Sequence, residues 1–149
     1  MSDTFSQLYI QIVFSVKNRR NLIHASWEDQ LFKFITGIVK NKGQNLIAIN
    51  GMPDHIHILI AFKASCCISD LVREIKKSSN TFINENGFCK SRFNWQEGFG
   101  AFSYSKTHVE NVIFYIQRQK EHHGGNLTFK KEYVAFLKEY EIDFDAKYL

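Results

Sequence analysis

The amino-acid sequence predicts an α+β fold in which helices pack on an antiparallel β-sheet. Segments with alternating apolar residues, as in strands, are separated by segments whose apolar residues recur at helical spacing. Two strand-like segments are joined by a short turn containing Pro53 and Asp54, which indicates an antiparallel hairpin. The length of 149 residues and the hydrophobic fraction of 44% are typical of one folded domain, predicted here over 1–149.

The first strand is predicted over residues 9–16, where alternate apolar side chains share one face. These side chains are Ile10, Ile12, Phe14 and Val16. A basic turn follows at 17–20. The first helix is predicted over 24–42, because its apolar residues recur at helical spacing, with Ser26 as its N-cap and Gly43 as its stop.

The hairpin comes next, with strands over 46–50 and 55–62 and a turn over 51–54. The second helix is predicted over 68–84, started by Ser69 or Asp70 and ended by Asn86-Gly87. Its inner face carries Leu71, Val72, Ile75, Ser79 and Phe82.

A Gly-rich aromatic strand is predicted over 98–105. The next helix runs to about His123, where Gly124-Gly125 ends it, and its start is predicted from the capping-box spacing of Thr107 and Glu110. A last helix is predicted over 129–140. The order β-α-β-β-α-β-α-α is that of a ferredoxin-like sheet with an added C-terminal helical piece. Such sheets serve many functions, so the function must be argued from the sites.

Composition excludes several classes of protein. The formal net charge of +4 is mildly basic and permits a nucleic-acid partner. The longest stretch without Asp, Glu, Lys or Arg, residues 4–16, is shorter than a membrane span requires. The three cysteines are odd in number and form no Cys-x-x-Cys pair, which favours reduced thiols in a cytoplasmic protein.

Two histidines form the first candidate site. His55 and His57 are two residues apart on a predicted strand, so both side chains point to the same face and can converge on one cation. Two imidazoles leave a metal site incomplete, and a third ligand must come from elsewhere in the chain. A histidine-triad hydrolase would have a third histidine at the position of Leu59, which counts against that class. A two-histidine phosphoesterase needs two separate His-x-Ser/Thr pairs, and only His24-Ala25-Ser26 fits, so that class is also disfavoured.

A tyrosine and a glutamine form the second candidate site. Tyr115, Gln119 and His122 lie on one stripe of the predicted helix, beside an apolar stripe that can seat the helix. A phenol is a poor nucleophile at neutral pH, but a divalent metal can polarise the phosphate that it attacks. Two imidazoles with a carboxamide oxygen favour Mg²⁺ or Mn²⁺ over closed tetrahedral zinc.

These motifs, in this order, resemble a known family. The matching segments are Met52-Pro53-Asp54-His55-Ile56-His57, Gly100-Ala101-Phe102-Ser103-Tyr104-Ser105, and Tyr115-Ile116-Gln117-Arg118-Gln119 followed by His122-His123. Their order and spacing are similar to those of the single-tyrosine HUH transposases of the smallest, IS200-like insertion sequences and their repeat-associated relatives.

The resemblance implies both a mechanism and partners. His55 and His57 would hold Mg²⁺ or Mn²⁺, with Gln119 as the third ligand. Tyr115, on a C-terminal helix, would attack a single-stranded DNA phosphate and form a 5′-phosphotyrosine link, which a 3′-hydroxyl later reverses. The resemblance also implies recognition of hairpin element ends and a homodimer whose tyrosine helix completes its own site or that of the partner.

Basic residues near these motifs are candidate DNA contacts, because they can bind phosphates. They are Arg19, Arg20, Arg73, Lys76, Lys77 and Arg118. Two other interpretations of the sequence stay open. One is a domesticated or non-enzymatic nucleic-acid-binding module on the same fold, and the other is a metal phosphohydrolase that releases its product to water.

Overall fold

The computed structural model describes residues 3–122 and 128–139. The strands are β1 (Leu8–Ser15), β2 (Asn45–Met52), β3 (His55–Phe62) and β4 (Gly100–Tyr104). The α-helices are α1 (Glu28–Asn41), α2 (Ile68–Glu85), α3 (Val109–Gln117), α4 (Gln119–His122) and α5 (Phe129–Glu139). Two short 3₁₀ turns cover Lys17–Arg19 and Lys106–His108. Within the described ranges, no helix combines the length and the apolar character that a membrane crossing requires.

The four strands form one sheet in the order β2-β3-β1-β4, and every neighbouring pair is antiparallel. This order, with helices between β1 and β2 and between β3 and β4, is that of a ferredoxin-like fold. The predicted α+β class is therefore confirmed. In the register of the two central strands, Ser15 pairs with His55 and Val13 pairs with His57.

One face of the sheet carries the main hydrophobic core. The alternating side chains Ile56, Ile58 and Ile60 of β3 are fully buried there, as the sequence pattern predicts. Helices α1 and α2 cover this face, and their buried residues belong to the same cluster. Burial of these apolar side chains is the main force that holds the sheet and the two helices together.

The opposite face carries the alternate residues of β1 and β3 and is covered in two places. Helix α3 packs over β2 and β3, where Val112 and Ile116 contact Leu59. Helix α5 packs over β1 and β4, where Phe129 and Leu137 join a cluster with partners on both strands. The two histidines of β3 lie on this face, so the site is enclosed between α3 and α5.

The predicted N-caps of the first two helices are wrong, whereas the predicted end of the second helix at Asn86-Gly87 is confirmed. Helix α1 begins at Glu28 rather than at residue 24, because the Ser26 hydroxyl lies 2.9 Å from His24 Nδ1 in a turn that precedes the helix. Helix α2 begins directly after Cys67, so Ser69 and Asp70 lie inside its first turn. The predicted stop at Gly43 is supported by its φ of 76°, a conformation that favours glycine.

The predicted helix from Thr107 to about His123 is interrupted. A 3₁₀ turn precedes α3, and the structure shows no side-chain capping bond at its start, so the capping box is wrong. Helix α3 ends at Gln117, whose carbonyl accepts a bond from the Asn50 side chain at 3.0 Å, and α4 resumes at Gln119. The predicted ends at 123–125 and at 140 lie outside the described residues.

Candidate active site

His55 and His57 form the centre of the site. Both side chains are fully buried, although imidazoles are usually at least partly exposed. Because they lie two residues apart on β3, they point to the same face of the sheet, and their ring centroids are 5.1 Å apart. The pairing predicted from the sequence is therefore present.

The Nδ1 atom of each histidine is held by an acceptor. His55 Nδ1 lies 2.7 Å from Asp54 Oδ1, and His57 Nδ1 lies 2.7 Å from Gln11 Oε1. Gln11 Nε2 in turn donates to the Tyr104 hydroxyl at 2.8 Å, so the Gln11 side chain is held at both ends. Since Nδ1 donates in both rings, both Nε2 atoms face into the site. This is the outer support that metal-binding histidines require.

Gln119 and Tyr115 approach the histidines from α4 and α3 of the same chain. Gln119 is fully buried, and its Oε1 lies 3.1 Å from His55 Nε2. The Tyr115 ring meets the His57 ring edge-on, with centroids 5.9 Å apart. The four residues predicted for the metal and the nucleophile therefore lie together, although the helix that carries the last two is interrupted between them. The side chain of His122 lies outside the described residues.

Glu132 of α5 is a member of the site that sequence reasoning missed. Its side chain is only 3% exposed. One carboxylate oxygen, Oε1, lies 2.8 Å from His57 Nε2 and 3.4 Å from His55 Nε2. The other, Oε2, accepts a hydrogen bond from the Tyr115 hydroxyl and lies 3.4 Å from Gln119 Nε2. In the sequence, Glu132 is an ordinary acidic residue in the first turn of a helix, so no local signal distinguishes it.

The donor set fits a divalent ion. Four atoms with lone pairs converge, namely the two histidine Nε2 atoms, Gln119 Oε1 and Glu132 Oε1, and such atoms repel unless a cation or protons lie between them. His55, His57 and Glu132 can each offer an atom within 4.8 Å of the others. Adjacent ligands of octahedral Mg²⁺ at about 2.1 Å lie about 3 Å apart, close to the observed separations of 2.8, 3.1 and 3.4 Å.

In the metal-free protein, protons on these side chains relieve the repulsion between the lone pairs. Burial opposes the charge on His55, but hydrogen bonds and charges from Asp54 and Glu132 outweigh it and raise the pKa of His55 to about 9. Burial likewise opposes the charge on Glu132, but hydrogen bonds from His55 and His57 hold the pKa of this carboxyl well below its usual range. Burial, together with the charge of Glu132, raises the pKa of Tyr115, so its hydroxyl keeps its proton.

Two of the predicted DNA contacts lie near the site. The Arg19 guanidinium lies 6.0 Å from the centroid of the Phe129 ring, and Phe129 stacks on His55 at 4.3 Å. Arg118 lies in the break between α3 and α4, 4.0 Å from the centroid of the exposed Phe114 ring. Arg19 therefore lies beside the ring that covers His55, whereas Arg118 lies on the exposed surface of the break and also pairs with Glu121 at 3.4 Å.

The other predicted DNA contacts lie away from the histidines. Arg20 donates to Ser91 at 3.3 Å. Arg73 and Lys77 are exposed on α2, which packs on the other face of the sheet. Lys76 is half-buried, and its Nζ donates to the carbonyls of Gln96 and Gly98 at 2.8 and 2.6 Å, so it supports the chain before β4.

Comparison with known sequences identifies similar proteins. A sequence model of the family described as IS200-like transposases matches residues 4–119. The ISDra2 transposase TnpA of Deinococcus radiodurans is 29% identical over 73 residues, which are 49% of this chain and 52% of that protein. The match to this curated relative therefore spans about half of its length.

Two solved structures share the fold. A crystal structure of a candidate transposase from Deinococcus radiodurans has a TM-score of 0.65 at 20% identity, over 80% of this chain and 95% of that one. A REP-associated tyrosine transposase bound to a REP hairpin has a TM-score of 0.60 at 21% identity, over 83% of this chain and 75% of that one. At these identities the likeness establishes the arrangement of strands and helices.

Proposed function

Because the chain belongs to the family of IS200-like transposases, we propose that it cleaves and rejoins single-stranded DNA by transesterification at Tyr115. The observation that carries the proposal is the convergence of Tyr115 and Gln119 on the buried pair His55 and His57. In this proposal, His55, His57 and Gln119 hold Mg²⁺ or Mn²⁺. When bound, the ion would polarise the phosphate and stabilise the leaving oxygen.

Tyr115 is the proposed nucleophile. Its hydroxyl oxygen attacks the phosphorus and loses its proton, while the bond from phosphorus to the 3′ oxygen breaks and that oxygen leaves as a protonated hydroxyl. The 5′ phosphate stays on Tyr115 until a 3′-hydroxyl attacks it and reverses the exchange. One phosphodiester bond is replaced by one phosphotyrosine bond, so the step needs no nucleoside triphosphate.

We also propose that the DNA partner carries hairpins. One structural neighbour is described as bound to a REP hairpin. Arg19, beside Phe129, and Arg118, next to Gln119 in the chain, can bind the DNA backbone near the cleaved phosphate, while Arg20, Arg73 and Lys77 can bind a more distant segment. The same proposal includes a homodimer. In it, α3 and α4 bring Tyr115 and Gln119 either to the site of their own protomer or to that of the partner.

The test is a search for the covalent adduct. A labelled single-stranded oligonucleotide with a hairpin is incubated with the protein and Mg²⁺ or Mn²⁺ and resolved on a denaturing gel. We expect a protein–DNA adduct that Tyr115→Phe and a chelator both abolish. Tyr9→Phe, which removes a hydroxyl remote from the histidines, is the matched control.

Each alternative gives a different result. A phosphohydrolase would release cleaved DNA without an adduct. A binding module would retain the hairpin equally well without metal and with His55→Ala. An adduct that persists in Tyr115→Phe would assign the nucleophile to another residue and refute the proposal.

A further inference from the structure

We propose that Glu132 is a fourth protein ligand of the divalent ion, and that the same carboxylate holds the Tyr115 hydroxyl beside that ion. This inference rests on the proposed function and adds a residue from a separate helix to its site. It assigns different parts to the two carboxylate oxygens. Oε1, which lies beside the imidazoles, would bind the ion with them, whereas Oε2 accepts the hydrogen bond from the Tyr115 hydroxyl.

The position of Oε1 supports its part as a ligand. It lies within 3.4 Å of the Nε2 atoms of both His55 and His57, and so completes a cluster in which the Gln119 oxygen is also adjacent to His55. Two imidazoles and one amide supply no negative charge, whereas a carboxylate offsets half the charge of a divalent ion. Mg²⁺ in proteins is usually bound by one or two carboxylates with water and phosphate oxygens, so an anionic ligand is expected here.

Helix α5 is anchored firmly enough to present a ligand. The Glu132 backbone N–H bonds to the Thr128 carbonyl at 3.0 Å, and the Thr128 hydroxyl accepts from the Lys131 N–H at 3.2 Å, which closes the first turn. Phe129, one turn before Glu132, stacks on the His55 ring at 4.3 Å. The carboxylate also lies in the first helical turn, where the helix dipole favours negative charge.

The contact with Tyr115 gives the carboxylate its second part. A freely rotating tyrosine side chain loses conformational entropy each time it is fixed in the position for attack on the phosphate. A hydrogen bond that already holds the side chain there lowers this entropic cost. In the structure, Glu132 joins Tyr115 to the two histidines through its two oxygens. We therefore assign Glu132 as a metal ligand and a positioning residue for the nucleophile.

The opposite hypothesis makes the carboxylate a competitor of the ion. If Glu132 only paired with protonated histidines, an incoming ion would have to displace it, and removing its charge would strengthen metal binding. If Glu132 is a ligand, removing its charge weakens metal binding. The two hypotheses therefore differ in the sign of the effect of Glu132→Gln, a nearly isosteric change.

The first experiment measures Mn²⁺ affinity by electron paramagnetic resonance, without DNA. We expect Glu132→Gln to weaken binding by at least about tenfold, while Glu139→Gln, an exposed site on the same helix, leaves it unchanged. Nitrogen couplings from two imidazoles should persist in Glu132→Gln, which shows that the histidines still bind and that the protein is folded. Unchanged or tighter binding overturns the proposal.

The second experiment follows Tyr115 by nuclear magnetic resonance, with its ring signals identified by their loss in Tyr115→Phe. At Mn²⁺ saturation, paramagnetic relaxation of this ring should be weaker in Glu132→Gln than in the native protein. Equal relaxation would refute the positioning part. Neither measurement uses DNA or an adduct, so both results stand even if the adduct test of the proposed function fails.

Discussion

The support of His57 by Gln11 leads to a quantitative prediction. Gln11 is fully buried, and its amide joins His57 Nδ1 to the Tyr104 hydroxyl with bonds of 2.7 and 2.8 Å. Gln11→Leu keeps a similar volume but removes both bonds. His57 then loses the acceptor that fixes Nδ1 as the protonated nitrogen, so Nε2 no longer has to face the ion as an acceptor.

The expected loss follows from two known effects. Removing the outer partner of a metal-binding histidine typically costs 10–100-fold in metal affinity, which is about 1.4–2.7 kcal/mol. A buried N–H deprived of its acceptor costs about 1–3 kcal/mol of stability, partly offset by burying the apolar leucine. We therefore expect a roughly 10–100-fold loss of Mn²⁺ affinity together with a loss of at most about 3 kcal/mol in the free energy of unfolding.

The assay is a Mn²⁺ titration of the DNA-free protein combined with urea unfolding of the metal-free protein. Gln44→Leu is the matched control, because Gln44 is also buried and its side chain bonds to the backbone at Lys42 and Lys63, far from the site. The control should lose stability but keep its metal affinity. Two results would refute the reasoning. One is a native Mn²⁺ affinity in Gln11→Leu, and the other is a loss of Mn²⁺ affinity in Gln44→Leu that equals the loss in Gln11→Leu.

Three further predictions concern stability. Gly51→Ala should destabilise the protein to urea by about 1–3 kcal/mol, because a Cβ there would lie 2.2 Å from a carbonyl oxygen of β3, whereas Gly37→Ala, with nothing within 4 Å, should stabilise it slightly. Phe129→Ala should speed amide exchange across α5, since it removes a buried ring worth about 3–5 kcal/mol; unchanged exchange would contradict the proposed anchor. Lys76→Met should lower the midpoint of urea unfolding because it removes the bonds to the Gln96 and Gly98 carbonyls, whereas Lys77→Met, at an exposed position, should not. Equal midpoints in the two variants would show that the Lys76 contacts do not support the fold.

The fold was largely predictable because its signals are local. In β3, the alternation of Ile56, Ile58 and Ile60 identifies the core face, so the same pattern places His55 and His57 on the opposite face. The order of elements along the chain, β-α-β-β-α-β, indicates a ferredoxin-like sheet and with it the strand order β2-β3-β1-β4. The N-cap prediction at Ser26 failed because its hydroxyl lies 2.9 Å from the His24 ring in a turn before the helix, a side-chain contact that helical spacing alone does not reveal.

The missing members of the site depend on distant contacts. Gln11 and Glu132 meet His57 across sequence separations of 46 and 75 residues, and neither belongs to a recognisable motif. A glutamine in an apolar strand and a glutamate in a helical first turn are each compatible with ordinary exposed roles. Only the register of β1 against β3 and the docking of α5 bring them to the imidazoles.

One face of the sheet carries the apolar core and the other carries the polar site. This separation explains how a chain of 149 residues can bury so many polar groups at one place. Burying an ionic or polar side chain costs free energy unless its partners are arranged to satisfy it. The apolar core on the α1/α2 face supplies stability without using the polar site. The opposite face can therefore hold His55, His57, Gln119 and Glu132 in positions set by their chemistry. Substitutions such as Gln11→Leu should consequently weaken metal binding in a protein that still folds.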